Sequence, residues 1–176
     1  MMTATEFNPL KAGDAADMAR AGQLAAELMA GRLDLAAIIG ITDEEIEALY
    51  VLGHRYYSSG KYEEALNFFR FLCLHRHIDG RFWFALAAAS QMLGDAERAV
   101  HAYRLAALLN SEDPQIPLRA AECFIRLDQS AAAVNALEGA LALSARKPEH
   151  AVFSRRALMM LNRLRSEAAT QGGDDA

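Results

Sequence analysis

Three side chains near the middle of the chain could bind a metal: Cys73, His75 and His77 lie close together and carry a thiol and two imidazoles. Zinc takes four such ligands in a tetrahedron, and alternating residues at a helix end offer neither that spacing nor a fourth donor nearby. Histidines there have a simpler use with the last carbonyls and the negative end of the helix dipole. The pairs Glu44-Glu45 and Glu63-Glu64 could suggest acid–base work, but each stands where a helix begins, as a solvated face that favours the positive end of the dipole. The sequence has no phosphate-cradling glycine loop, no nucleophile elbow and no His-Glu-x-x-His pair. These residues predict no enzyme, no cofactor and no metal. His54, flanked on a helical spacing by Tyr50 and Tyr57, reads as a hydrogen-bonding wall residue rather than a catalyst.

The elements that would position these residues come from an internal repeat. Leu52 and Leu86 are 34 residues apart, as are Gly60 and Gly94, the series Ala65, Ala99 and Ala133, and the large residues Phe69, Tyr103 and Leu137. One register aligns them in units 46–79, 80–113 and 114–147, each split by a turn near Ser59-Gly60, Leu93-Gly94 or Leu127-Asp128. In the first unit Leu49, Leu52, Gly53 and Tyr56 share one helical face; Trp83, Leu86 and Ala87 repeat it in the second. Small residues at Gly53, Ala87 and Ala121, and again at Ala65, Ala99 and Ala133, let paired helices approach closely. This is the tetratricopeptide pattern, although Pro117 replaces the usual aromatic in unit three. The expected fold is all-α: three helical hairpins in a right-handed superhelix, with flanking helices at both ends.

Those flanks complete the domain plan. Residues 1–13 read as disordered, and 14–40 as a helical segment in which Met18, Leu24, Leu28 and Met29 form an apolar stripe suited to dimerisation. Thr42 and Glu45 make a capping-box signature at the head of the repeat region, 41–147. Pro148 opens a capping helix over 148–168 whose stripe is Val152, Leu158, Met159, Leu161 and Leu164; 169–176 reads as a disordered tail.

Beside the stacking face of each first helix lies a second stripe, about 100° around the axis, that core packing does not require. It comprises Tyr50, His54 and Tyr57, then Phe84, Ala88 and Gln91, then Leu118, Glu122 and Ile125. These would line a concave groove. Tyrosines there offer apolar area with a polar tip, which suits a wet peptide site, although they could simply pack against the N-terminal helix. With helices roughly 8 to 10 Å apart, the groove would take about six residues of extended ligand.

A formal net charge of -5 excludes a basic field for nucleic acid or anionic membranes. No segment approaches the roughly 18 apolar residues of a membrane span, so direct membrane insertion is not expected. Met1 to Lys11 lacks the basic start and apolar run of a secretory signal. Cys73 and Cys123 read as separate buried thiols, which fits a reducing cytoplasm.

Several segments together resemble one branch of tetratricopeptide proteins: Ser59-Gly60-Lys61-Tyr62-Glu63-Glu64-Ala65, Phe71-Leu72-Cys73, Asp79-Gly80-Arg81-Phe82-Trp83, Pro114-x-x-Pro117 and Ala120-Ala121-Glu122-Cys123. From about Ile41 through Leu164 the chain resembles the class II chaperones of type III secretion translocators. The resemblance implies a bacterial cytosolic homodimer that keeps two hydrophobic translocator proteins soluble and apart by holding a proline- and leucine-containing segment in its concave face. It also implies, for some members, assistance to a transcriptional activator. Carried over by position, Tyr50, Tyr57, Tyr62, Phe84 and Ala88 would be groove residues, while His54 and Leu118 stand where relatives usually have larger aromatics. A generic tetratricopeptide scaffold joining folded proteins is the alternative from another class, ahead of an enzyme regulator or an RNA-binding helical repeat.

Overall fold

In a computed structural model that describes residues 40–171, Thr42 starts the first helix by a reciprocal exchange. Its hydroxyl accepts from the Glu45 amide at 3.2 Å, and the Glu45 carboxylate accepts from the Thr42 amide at 2.8 Å. Two amides that a helix start would leave without partners are thereby satisfied. Helix α1 spans Asp43–Ser58 and α2 spans Tyr62–His75. The second hairpin is α3, Gly80–Met92, with α4, Ala96–Leu109; the third is α5, Gln115–Arg126, with α6, Ser130–Ser144. A 3-10 turn, Pro148–His150, leads into α7, Ala151–Gln171. No strand occurs among the described residues. The N-terminal stripe at Met18, Leu24, Leu28 and Met29 and the tail beyond Gln171 lie outside them.

The three hairpin turns repeat one backbone solution. Gly60, Gly94 and Asp128 occupy equivalent positions and have φ of 76°, 86° and 55°. Glycine adopts this left-handed conformation without steric cost, whereas an L side chain does not. Aspartate tolerates it better than most residues, but the third turn still bears strain that the first two avoid. Replacing Asp128 with Gly should therefore stabilise the chain by about 0.5 to 1 kcal/mol, read as a rise in melting temperature. An unchanged or lower melting temperature would contradict this.

Packing follows the small-residue plan. A Cβ on Gly53 would come within 2.8 Å of the Phe69 ring and 3.1 Å of the Phe68 Cβ, so α1 and α2 are closer than alanine permits. The fully buried Phe69, Tyr103 and Leu137 fill equivalent positions on α2, α4 and α6. Each helix packs on the next in sequence, and α1, α3, α5 and α7 also touch in succession, as inner helices on the concave side of a curved stack must. On α1, the first described helix, the face at Leu49, Leu52 and Tyr56 stays partly open; Leu52 is 38% exposed.

Helix α7 differs from the sequence expectation in both length and face. It continues to Gln171 rather than ending at Ala168. Its inward row is the buried Ala157 and Leu161 flanked by the partly buried Phe153 and Leu164, which closes on Leu118, Ala121, Leu137 and Ala140. Val152 and Met159 are 69% and 68% exposed, and Leu158 is also exposed. The spacing i, i+4, i+8, i+11 gives a continuous row, and small Ala157 at its centre lets α7 sit close to α5 and α6. Of the expected stripe Leu161 and Leu164 do face the core; Phe153 and the small Ala157 complete the row in place of Val152, Leu158 and Met159.

Candidate peptide-binding groove

The inner helices present two adjoining hollows. The first, about 150 Å³, is walled by His54 and Tyr57 from α1, Phe84 and Ala88 from α3, and Gln115 and Arg119 from α5, with Phe69 beneath. The aromatic walls are braced by neighbours. The Tyr57 ring meets Tyr62 edge-on at 5.3 Å, and Phe84 meets the buried Tyr103 at 5.7 Å. Burial lowers the His54 pKa and raises that of Tyr57, so both are neutral near pH 7; the Arg119 charge partly opposes the rise at Tyr57. This hollow offers apolar area with a few hydrogen-bonding tips and no nucleophile or paired acid to do chemistry.

The second hollow, about 380 Å³, is more polar. Gln91 of α3 and Glu122, Ile125 and Arg126 of α5 form one side, while Met160, Arg163, Leu164 and Glu167 of α7 form the other. A hydrogen-bonded chain fixes the floor: the Tyr103 hydroxyl donates to Gln91 Oε1 at 2.8 Å, and Gln91 Nε2 donates to Glu122 Oε2 at 2.8 Å. Arg156 pairs with the other Glu122 oxygen at 2.5 Å. The side-chain exposure of Glu122 is only 16%, so these partners are what make its position tolerable.

The expected groove residues divide into three groups. His54, Tyr57, Phe84 and Ala88 meet in the first hollow, and Gln91, Glu122 and Ile125 in the second. Tyr62 stands behind Tyr57. Tyr50 lines neither hollow; its ring packs 5.2 Å from Phe82 and 6.2 Å from Phe69, under the Arg81 guanidinium. Leu118 is not at the groove surface at all, being 2% exposed in the core beneath α7. On α5 the groove stripe is Gln115, Arg119, Glu122 and Arg126, at i, i+4, i+7 and i+11, because α6 and α7 bury the face that carries Leu118 and Ala121. Arg119, Arg126 and the α7 residues line the hollows without having been singled out in the sequence. A polar row at helical spacing on α5 was the available signal, but such a row looks the same on any solvated face.

The thiol and imidazoles that first suggested a metal do not converge. Cys73 is buried and its thiol is pushed up to about 12 by desolvation, chiefly, and by Asp79. The His75 ring lies 4.1 Å from that of Phe71 at a 50° tilt, and the His77 carbonyl accepts from the Trp83 indole at 2.7 Å. Cys123 is likewise buried and pushed up to about 11. Among the described residues no three His, Cys, Asp or Glu side chains group as a metal site. Melting curves with and without excess EDTA should superimpose, since a structural zinc would contribute folding free energy. One zinc per chain with a chelator-sensitive melt would contradict this. A further hollow, about 570 Å³ between α2 and α3, is lined by Phe71, Leu74 and Trp83 together with Cys73 and His77, and lies apart from the groove stripes.

The tetratricopeptide repeat family matches residues 46–77 and 82–113. Low calcium response locus protein H of Yersinia pseudotuberculosis is 36% identical over 144 residues, 81% of this chain and 86% of that protein. The chain belongs to the class II translocator chaperones of type III secretion. Among solved structures, a T3SS complex from Aeromonas hydrophila matches with a TM-score of 0.81 at 32% identity, covering 84% of this chain and 98% of that one. PcrH of Pseudomonas aeruginosa, solved with the chaperone-binding region of PopD, matches with a TM-score of 0.72 at 34% identity over 73% of this chain and 97% of that one. For this class II chaperone, no described helix is long and apolar enough to cross a membrane.

Proposed function

We propose that this chaperone acts in the bacterial cytosol, holding a short extended segment of hydrophobic translocator proteins in the groove of α1, α3, α5 and α7 and keeping two such translocators soluble and apart before export. The observation that carries this reading is the hollow walled by Tyr57, Phe84 and Ala88, where aromatic area from α1 and α3 stays open on the inner helices. The PopD region bound to PcrH supports the class of ligand. Proteins built to enter membranes associate or insert when left alone, and sequestering them takes binding area and no chemistry.

Co-expression tests the proposal. A hydrophobic translocator encoded beside this protein should be recovered in the soluble fraction only when the chaperone is present. Equal recovery without it would favour the alternative of a general scaffold between folded proteins. The N-terminal segment 14–40 is proposed as the homodimer interface; light scattering of a chain lacking residues 1–34 should give the monomer mass, and an unaltered dimer mass would exclude that segment.

A further inference from the structure

The groove carries a charge opposite to that of the whole protein. Against a formal net charge of -5, the residues lining the two hollows include Arg119, Arg126 and Arg163 with Glu122 and Glu167, and Arg156 reaches Glu122 from α7. Two pairs cancel: Arg156 with Glu122 at 2.5 Å, and Arg163 with Glu167 at 2.7 Å. Arg126 is partly committed, donating to the Gln91 carbonyl at 3.1 Å near the end of α3. Arg119 differs. Its nearest carboxylate oxygen, Glu122 Oε2, is 3.5 Å away and already accepts from Gln91 at 2.8 Å. Its side chain is 37% exposed and walls the aromatic hollow beside Tyr57, Phe84 and Ala88.

We propose that Arg119 is a specificity-determining residue that selects an acidic side chain next to the apolar anchor of the bound segment. This deepens the groove reading above and rests on it. A guanidinium has five donors in a fixed fork that matches a carboxylate, and a weak contact at 3.5 Å leaves most of them available. Beside aromatic rings the attraction is screened less than on an open surface, so a carboxylate is favoured and a basic side chain is repelled. Gln115, one turn earlier on the same wall, has the amide to hold the ligand backbone, which leaves Arg119 to read a side chain. One helical turn is about 5.4 Å and an extended residue about 3.3 Å, which places the acid within about two residues of the anchor in the hollow.

Selection of the full-length protein against a random linear nonapeptide library tests this, using wild type, Arg119→Gln and Arg119→Glu. Wild type should enrich peptides with an apolar anchor and Asp or Glu within two residues of it. Arg119→Glu should keep the anchor and replace the acid by Lys or Arg. An enriched acidic peptide should bind Arg119→Gln about 10-fold more weakly than wild type. Its amide counterpart, with Asn or Gln for the acid, should bind both proteins alike, an outcome that a merely structural arginine would not give. Apolar anchors without charge preference, or the same acid preference in the variants, would overturn the role of Arg119 and leave the groove standing. Failure of every protein to enrich any peptide would overturn the groove and Arg119 together.

Discussion

Replacing Phe69 with Ala should cost about 3 to 5 kcal/mol of stability, out of a total of about 5 to 15 kcal/mol for a domain of this size. The ring is fully buried, it fills the space that Gly53 leaves open, and it forms the base of the aromatic hollow. Removing it deletes apolar burial and opens a cavity under both walls. Neighbouring helices carry the contacts in a stacked array, so the loss should be local at first. Amide hydrogen exchange should speed up in α1 and α2 well before α6 and α7, whose core of Leu118, Leu137, Ala157 and Leu161 is separate. A urea midpoint shift worth less than about 1 kcal/mol, or exchange that rises evenly along the chain, would show that the first hairpin does not depend on this ring.

The second large effect is on binding rather than folding. Tyr57→Ala and Phe84→Ala should each weaken the complex with a translocator segment by about 1 to 3 kcal/mol, roughly 5- to 150-fold in Kd. Both rings are half-buried on the walls of the hollow, so the fold should survive their truncation. Tyr50→Ala separates the two roles. Its ring lies against Phe69 and Phe82 and not on the hollow, so its loss should lower the melting temperature more than the affinity. Calorimetric titration beside a thermal melt distinguishes these outcomes. Unchanged affinity in both Tyr57→Ala and Phe84→Ala would remove the aromatic hollow from the binding site.

Where the sequence could be read and where it could not follows from what competes for each helix face. The period of 34 residues marks the hairpins because every unit must make the same close approaches, at Gly53, Ala87 and Ala121 and again at Ala65, Ala99 and Ala133. On α1 and α3 the stripe beside the stacking face supplies His54, Tyr57, Phe84 and Ala88 to the first hollow, whereas Tyr50 packs on Phe69 and Phe82 instead. On α5 the same rule leads to Leu118, because α7 packs there and claims that apolar face for the core. Beside the expected Glu122 and Ile125 the hollows then take Gln115, Arg119 and Arg126, polar neighbours of Leu118 whose type does not separate them from a solvated surface. The α7 contribution lies outside the repeat altogether. Its Arg163 and Glu167 look like an ordinary pair four residues apart until α5 is seen opposite them.

The central claim, that a translocator segment lies along the inner helices, is tested most directly by site-specific photocrosslinking in cells that make both proteins. A photoreactive residue at Ala88 sits in the wall of the aromatic hollow, while one at Leu108, 79% exposed on α4, points away from both hollows. The account predicts a translocator adduct from position 88 that disappears when an excess of the segment is supplied in trans, and that outweighs any adduct from position 108. An adduct from position 108 with none from position 88 would contradict it.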